Sequence, residues 1–150
     1  MNKLLILFLF IAAAANAQDE KSVCKDIEND KAKKLYQKGI DKKKYEFKER
    51  KDFLQKAVEE EPEYAEAYNA LGNCAVTIAK GDGSSFAPAK KYFEKAIELC
   101  PDVNAYAYFY LGLIAYGGDK FEEATKHMEK FLTYDESTKK DEDYNKASKI

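Results

Sequence analysis

The sequence predicts an all-α protein: an α-α superhelix of about three helical hairpins with flanking N- and C-terminal helices. Three observations favour this fold class. Apolar residues recur at spacings of three and four, as in Phe53, Leu54, Ala57 and Val58, which is the periodicity of amphipathic helices. The strict alternation of apolar and polar residues expected of half-buried strands is absent. A unit of two helices also recurs at intervals of about 34 to 40 residues, which is typical of solenoids.

The N-terminus has the pattern of a secretory signal peptide. Lys3 precedes an apolar run at residues 4–15, and Ala15-Asn16-Ala17 forms an A-x-A cleavage site. The run is shorter than the about 20 apolar residues of a membrane-spanning helix. We therefore expect residues 1–17 to be removed on export and residues 18–150 to form one domain. A retained N-terminal anchor helix is the less favoured alternative, because no second apolar stretch extends the run.

The charge of the mature chain is slightly negative. Removing Lys3 leaves 24 basic and 27 acidic residues, a net charge of −3, with both signs mixed along the chain. Proteins that bind nucleic acid carry a basic face, and polybasic segments attach proteins to anionic membrane surfaces. The sequence therefore predicts no nucleic-acid partner.

Three cysteines, Cys24, Cys74 and Cys100, remain after cleavage. Export would place them in an oxidising compartment, where an odd number leaves at least one thiol unpaired. No C-x-x-C motif is present, so neither a redox pair nor a zinc ribbon is supported. Cys24 lies seven residues beyond the proposed cleavage site and is not expected to carry a lipid. Cys74 and Cys100 are expected to be small buried residues.

Short breaks separate the predicted helices, and helices of about a dozen residues joined by short turns pack as antiparallel pairs. Ser22 is expected to cap a leading helix over Val23 to Asp30, and Tyr144 to Ile150 begins like a last helix. That last helix would be a short cap or part of a longer protein. The breaks fall at Glu61-Pro62, Gly81 to Ser85, Cys100 to Asp102 and Gly117 to Asp119.

Signature residues mark three repeats of one family. The second unit contains Tyr68, Leu71-Gly72, Ala89, Phe93, Ala96 and Pro101. The third contains Tyr108, Leu111-Gly112 and Ala124, with Met128 and Phe131 where Phe and Ala are usual. The first contains Ala32, Leu35, Gly39, Leu54, Ala57 and Pro62, with Arg50 where a small residue is usual. This pattern resembles the tetratricopeptide repeat (TPR), with repeats roughly at 32–64, 65–104 and 105–138.

The resemblance implies close helix packing within each hairpin. Gly72 and Gly112 lack a Cβ and would let the two helices of a hairpin approach, while Ala89 and Ala124 do the same from the opposite helix. The turn of the second unit, at residues 81–86, is about five residues longer than in the family. The departures in the third unit suggest an edge repeat that packs against a different neighbour.

The resemblance also implies a binding groove, because the first helices of such hairpins line a concave surface that holds a protein or peptide partner. Tyr106, Phe109, Leu113 and Tyr116 share one helix face and would form an exposed aromatic patch, which usually marks a binding site. A following helix could instead cover them as core, and both interpretations stay open. By register the groove positions are Tyr36, Ile40, Glu66, Asn69, Asn73, Thr77, Tyr106, Phe109, Leu113 and Tyr116.

Asn69 and Asn73 sit where relatives that grip a peptide carboxylate place an asparagine clamp. That clamp also needs basic residues on neighbouring first helices. The register supplies Lys33 and Lys43 in the first unit and none in the other two. A carboxylate clamp is therefore disfavoured, although Asn69 and Asn73 remain predicted partner contacts.

The sequence offers no residues for catalysis, a metal or a cofactor. His127 has Glu123 one turn before it, which is more often a solvated pair than a site. The turn at residues 81–85 lacks the form of a phosphate-binding loop and is expected to be a surface turn. We therefore expect no enzyme activity, no cofactor and no small-molecule substrate.

Two hypotheses for function follow from the resemblance. The first is an exported protein–protein interaction module or scaffold of the cell envelope, periplasmic or outer-membrane-associated, within an envelope complex. The alternative is the structural arm of a larger outer-membrane or peptidoglycan-associated protein, or of a secretion system. Signal peptide and repeats together resemble the N-terminal part of Bacteroidota envelope proteins, in which a β-propeller and an OmpA-like domain follow.

Overall fold

The computed structural model describes residues 24–134, and all regular structure in this part of the chain is α-helical. The prediction of an all-α fold is confirmed. The proposed signal peptide and the expected helix from Tyr144 to Ile150 lie outside the described residues. The six helices are α1 (Asp30–Ile40), α2 (Phe47–Glu60), α3 (Ala65–Asp82), α4 (Ala87–Leu99), α5 (Ala105–Gly117) and α6 (Phe121–Leu132).

The helices pack as three hairpins that stack in chain order. The largest interfaces join α1 to α2, α3 to α4, and α5 to α6. Smaller interfaces join α2 to α3 and α4 to α5, and α1 also touches α3. Each hairpin thus buries its apolar face against its neighbours in sequence, as expected of an α-α superhelix.

The core follows the stack as a series of clusters. Leu54 and Leu71 belong to a cluster between the first and second hairpins. Phe93 and Leu111 belong to the next, between the second and third hairpins. The Phe93 ring stacks on the ring of Tyr110, with centroids 5.5 Å apart and planes 7° from parallel. These interfaces fix the spacing between successive first helices.

The predicted close approach within hairpins is confirmed at two glycines. A Cβ built on Gly72 would lie 2.5 Å from the Phe93 ring, and one built on Gly112 would lie 2.8 Å from Met128 Cε. Ala89 is fully buried on the opposite helix of the second hairpin. Small residues therefore set the helix separation in these hairpins.

The predicted leading helix over Val23 to Asp30 is wrong for the described residues 24–29, which form a non-helical segment that we call the strap. Asn29 is the N-cap of α1, and its side chain accepts hydrogen bonds from the backbone N–H groups of Lys31 and Ala32. Asn29 Nδ2 also donates to the Glu60 carbonyl oxygen at 3.0 Å. Lys25 pairs with Glu63, so the strap runs along the turn between α2 and α3.

A disulfide joins the strap to the second hairpin. Cys24 is bonded to Cys100, across a sequence separation of 76 residues, with Cα atoms 5.2 Å apart. Cys100 is buried as expected, but it is a bonded half-cystine and not a packed free thiol. Cys74 is a free, buried cysteine, as predicted. The strap thereby ties the start of the first hairpin to the end of α4.

The extra residues of the second unit extend α3 and do not form a long turn. α3 has 18 residues and α5 has 13, and both begin at an alanine in the same repeat position. The predicted break at residues 81–85 is corrected, because Gly81 and Asp82 are helical and Gly83, with a φ of 72°, is the C-cap of α3. We call residues 78–82 the overhang, which adds about 7.5 Å of helix at 1.5 Å per residue.

Candidate partner-binding face and overhang cavity

Helices α1, α3 and α5 carry the ten positions that the repeat register assigns to a groove, and we call these positions the first-helix face. The positions differ in accessibility. Tyr106 is buried, whereas Tyr36, Glu66, Asn69, Asn73 and Phe109 are partly buried, and Ile40, Thr77, Leu113 and Tyr116 are exposed.

The expectation of an exposed patch is wrong for Tyr106, which is only 7% exposed. Its ring lies 5.9 Å from the ring of Phe131 on α6 and 6.4 Å from that of Phe109. The rings of Phe109 and Phe131 are 5.3 Å apart. Phe131 lies on α6, and its side chain reaches both rings. Tyr106 and much of Phe109 therefore belong to a core cluster.

Leu113 and Tyr116, which share one face of α5 with Tyr106 and Phe109, stay accessible. Leu113 is 43% exposed and Tyr116 is 65% exposed, near the C-terminal end of α5. The Tyr116 ring packs edge-on against Phe121, which is itself exposed, with centroids 5.8 Å apart. Exposed apolar groups that cluster in this way are typical of interaction surfaces. Partner binding by Leu113 and Tyr116 stays a prediction.

Two acceptor atoms on α3 are buried without a hydrogen-bond donor. They are Glu66 Oε2 and Asn69 Oδ1, and they lie three residues apart on one side of the helix. More than nine in ten buried polar groups in proteins are hydrogen-bonded. A buried acceptor with no donor costs about 1–3 kcal/mol of stability. These two atoms are therefore an unusual feature of the middle of the first-helix face.

The surroundings of Glu66 are aromatic. The rings of Tyr36 and Tyr64 lie 4.9 Å apart between α1 and the start of α3. Burial raises the pKa of Tyr36, and the nearby Glu66 carboxylate adds to that rise. Burial also raises the pKa of Tyr64 to about 12, with further contributions from Tyr36 and Glu66. The carboxylate of Glu66 is thus close enough to both phenols to disfavour their ionisation.

Two of the residues considered for an asparagine clamp have other neighbours in the structure. Lys33 Nζ pairs with Asp30 Oδ1 at 2.9 Å on its own helix. Asn73 lines a small cavity of about 190 Å³ between the first and second hairpins, together with Arg50 and Cys74. Arg50 Nε donates a hydrogen bond to the Gly39 carbonyl oxygen, which directs the guanidinium toward α1.

A larger cavity, of about 570 Å³, lies between the second and third hairpins, and we call it the overhang cavity. Sequence reasoning missed it, although the extra length near residues 81–86 was a signal. Four residues of α5 line it, and each stands 40 positions after a residue of α3 that lines the small cavity: Tyr110, Leu113, Ile114 and Gly117. Its other lining residues are Lys80, Ser85, Phe86, Ala87, Lys90, Ala115, Gly118 and Lys120.

The overhang explains the size of this cavity. Lys80 of the overhang, together with Ser85 and Phe86 of the turn that follows it, forms a wall beside α5. Gly117 stands at the place that Thr77 occupies one repeat earlier, and a Cβ built on Gly117 meets no atom within 4 Å. An added wall and a missing side chain therefore leave open space here that the small cavity lacks.

His127 lies on α6, one turn after Glu123. No group of three or more His, Cys, Asp or Glu side chains there could hold a metal ion. Burial lowers the pKa of the half-buried His127 ring. Glu123 pairs with Lys90 Nζ at 2.6 Å, so its main partner is a lysine of another hairpin and not His127.

Comparisons with known proteins leave the family open. A scan against protein-family models finds no match, and a search of curated proteins finds no match either. Within residues 24–134, no helix has both the length and the apolar character needed to cross a membrane.

Proposed function

We propose that the chain is an exported module of the tetratricopeptide type that binds a protein or peptide segment along the first-helix face. The observation that carries this proposal is the pair of buried acceptors, Glu66 Oε2 and Asn69 Oδ1. Proteins tolerate unsatisfied polar groups mainly at functional sites. The side chains of Glu66 and Asn69 are partly exposed, so rotation toward a bound segment would bring these oxygens to its backbone N–H groups. The proposed setting is the periplasm or an outer-membrane-associated complex.

Two further observations support the proposal. Leu113 and Tyr116 leave apolar surface accessible on the same row of α5, where a partner could cover it. The bond between Cys24 and Cys100 fits an exported protein, because disulfides persist in oxidising compartments and are rare in the cytosol.

The substitution Asn69→Leu tests the proposal by separating stability from binding. Leucine has a similar volume, removes the buried acceptor and has a higher helix propensity, so the free energy of unfolding should rise by about 1 kcal/mol. Capture of the partner from envelope extract by the immobilised mature chain should be lost at the same time. Urea unfolding and quantitative mass spectrometry of the captured proteins measure the two effects.

The control is Glu129→Leu, which places leucine at an exposed position on α6 away from the first-helix face. This variant should capture the same proteins as the unmodified chain. Unchanged capture by Asn69→Leu would contradict the proposal. A fall in its stability would do so as well, since it would mean that Asn69 Oδ1 serves the fold.

A further inference from the structure

We infer that the overhang cavity anchors the partner by taking a bulky apolar side chain that is flanked by carboxylates. This inference rests on the proposed function and names the chemistry of the segment that is bound. It depends on three properties of the cavity: its apolar floor, its positive rim and its connection to the first-helix face.

The floor of the cavity is apolar and accessible. The floor is formed on the side of α5 by Tyr110, Leu113 and Ile114. Phe86 lines the cavity from the turn before α4. Leu113 and Phe86 are 43% and 37% exposed, so a bound side chain would remove both from water. Binding pockets commonly have volumes of about 300–1,000 Å³, and the cavity of about 570 Å³ lies within that range. It has room for an aromatic or a large aliphatic side chain.

The rim of the cavity is positive. Of the described residues that line it, three carry charge, and all three are lysines: Lys80, Lys90 and Lys120. The first turn of α4 also lines the cavity and contains no acidic residue, so its partial positive charge is not offset there. The mature chain as a whole would be negative, so this positive rim is a local feature. It complements a segment with carboxylates beside the anchor.

The three lysines differ in their interaction partners. Glu123 Oε1 lies 2.6 Å from Lys90 Nζ, and Glu123 Oε2 lies 3.7 Å from Lys120 Nζ. Glu94 Oε1 also lies 3.5 Å from Lys90 Nζ, so the charge of Lys90 is largely offset by two carboxylates, whereas Lys120 has one more distant carboxylate partner. Lys80 Nζ lies 5.6 Å from the centre of the Tyr110 ring and has no carboxylate partner among the described residues. Lys80 is thus the lysine most available to a carboxylate from outside.

The cavity continues into the first-helix face. Leu113 belongs to both, because it lies on the exposed row of α5 and also lines the cavity. A segment that follows the face can therefore place one side chain in the cavity without leaving the surface. This continuity favours a protein segment over a free lipid, although a fatty acid has the same combination of apolar and anionic groups.

An immobilised library of random octapeptides, probed with the oxidised mature chain, tests the inference. We expect enrichment of peptides with Phe, Leu or Ile next to Asp or Glu. The affinity of the best peptide is then measured by fluorescence anisotropy for two leucine variants. Gly117→Leu adds a side chain inside the cavity and should weaken binding about tenfold or more, which corresponds to 1.4 kcal/mol. Gly81→Leu is the matched control and should change the affinity less than about twofold.

A second pair of variants tests the charge. Lys80→Glu should weaken binding about tenfold, and the loss should shrink as salt concentration rises, because salt screens exposed charges. Lys126→Glu makes the same change at an exposed position of α6 and should leave the affinity unchanged. Circular dichroism of all four variants should match that of the unmodified chain. A Cβ at Gly117 or Gly81 meets no atom within 4 Å, and Lys80 and Lys126 are exposed.

The outcomes separate this inference from the proposed function. Enriched peptides that bind Gly117→Leu as tightly as the unmodified chain would overturn the anchor site while leaving the first-helix face intact. Enrichment of basic or purely polar peptides would overturn it as well. If no peptide is enriched and Asn69→Leu still captures the partner, both proposals fail. Binding of laurate with sensitivity to Gly117→Leu, but without any enriched peptide, would assign the cavity to a lipid instead.

Discussion

At the scale of single residues, one glycine in each first helix sets the distance to the second helix of its hairpin. A Cβ added to any of the three would approach a side chain of the opposite helix to between 2.5 and 2.8 Å, closer than real Cβ contacts allow. The opposing side chains are different in each hairpin, but their position in the repeat is the same. The pairs are Gly39 with Leu54, Gly72 with Phe93, and Gly112 with Met128.

The substitution Gly72→Ala should destabilise the protein by about 1–3 kcal/mol, the usual cost of overpacking a core. The Phe93 ring is fully buried and cannot move away from the new methyl group. Urea unfolding followed by circular dichroism measures the change. Gly81→Ala is the matched control: its Cβ meets no atom within 4 Å, so the better helix propensity of alanine should stabilise the overhang. Equal effects of the two substitutions would show that Gly72 is not packed against Phe93.

His127 should make stability depend on pH in one window. Burial lowers the pKa of its ring below the ordinary value of 6.5, so the unfolded chain binds a proton more readily than the folded chain. The contribution of His127 is therefore fully present above pH 6.5 and is lost as the pH falls below 6.5 and through the lower pKa of the folded state. The free energy of unfolding should begin to drop as the pH falls through about 7.5 and should continue to drop below pH 6.5.

The variant His127→Gln should flatten this part of the stability profile, because glutamine does not titrate. The titration of Glu123 does not interfere with this measurement. Its pairing with Lys90 lowers the pKa of Glu123 below its ordinary value of 4.5, so its contribution is lost only at a more acidic pH. A profile with the same slope in His127→Gln as in the unmodified chain would assign the pH dependence to another group.

At the scale of helices and segments, the sequence predicted what depends on local pattern and missed what depends on distant partners. Helical periodicity placed the hairpins, and the small residues Gly72 and Ala89 indicated their close packing. The burial of Tyr106 depends on Phe131, which lies on the next helix, so the spacing within α5 left the choice open. The pairing of Cys24 with Cys100 joins positions 76 residues apart, and no local pattern encodes it.

At the overhang, the glycines of the sequence predicted a helix end at the wrong residue. The glycines near residues 81–83 marked the end of a helix correctly, but the helix ends at Asp82, with Gly83 as its C-cap, and not before Gly81. Gly83 adopts a left-handed φ of 72°, which glycine allows without strain, whereas Gly81 remains helical. The additional residues therefore lengthened α3, and Lys80 among them lines the overhang cavity.

The disulfide of the strap should contribute about 4.5 kcal/mol to the free energy of unfolding, because it closes a loop of roughly 76 residues in the unfolded chain. Replacing both Cys24 and Cys100 by serine should remove this contribution, as measured by guanidinium unfolding. Dithiothreitol should lower the stability of the unmodified chain by a similar amount. A midpoint that does not change with reductant would contradict the structural role of the strap.

Cys74 provides the control for that experiment. Cys74→Ala leaves the disulfide in place and should cost only about 1 kcal/mol, as is typical of a small core substitution. Burial raises the pKa of the Cys74 thiol, so little reactive thiolate forms in the folded protein. A thiol reagent should therefore find one reactive cysteine per chain after unfolding and almost none before.

At the scale of the whole molecule, stability is arranged along the stack. Each hairpin has a large internal interface and a smaller one to the next hairpin, so the second hairpin connects the other two. The strap adds a covalent connection between the first hairpin and the end of α4, but it does not reach α5 or α6. The third hairpin therefore depends on its non-covalent contacts with α3 and α4, and on its own interior.

The substitution Leu111→Ala tests this arrangement, because Leu111 is 1% exposed and belongs to the cluster between the second and third hairpins. It should cost about 2–5 kcal/mol. In an array in which each hairpin contacts only its neighbours, hydrogen exchange should accelerate most in α5 and α6, less in α3 and α4, and hardly at all in α1 and α2. Leu132→Ala, at a position 68% exposed, is the control and should leave exchange unchanged. Equal acceleration in all six helices would mean that the hairpins unfold as one globular core, and the repeat interpretation of the fold would then fail.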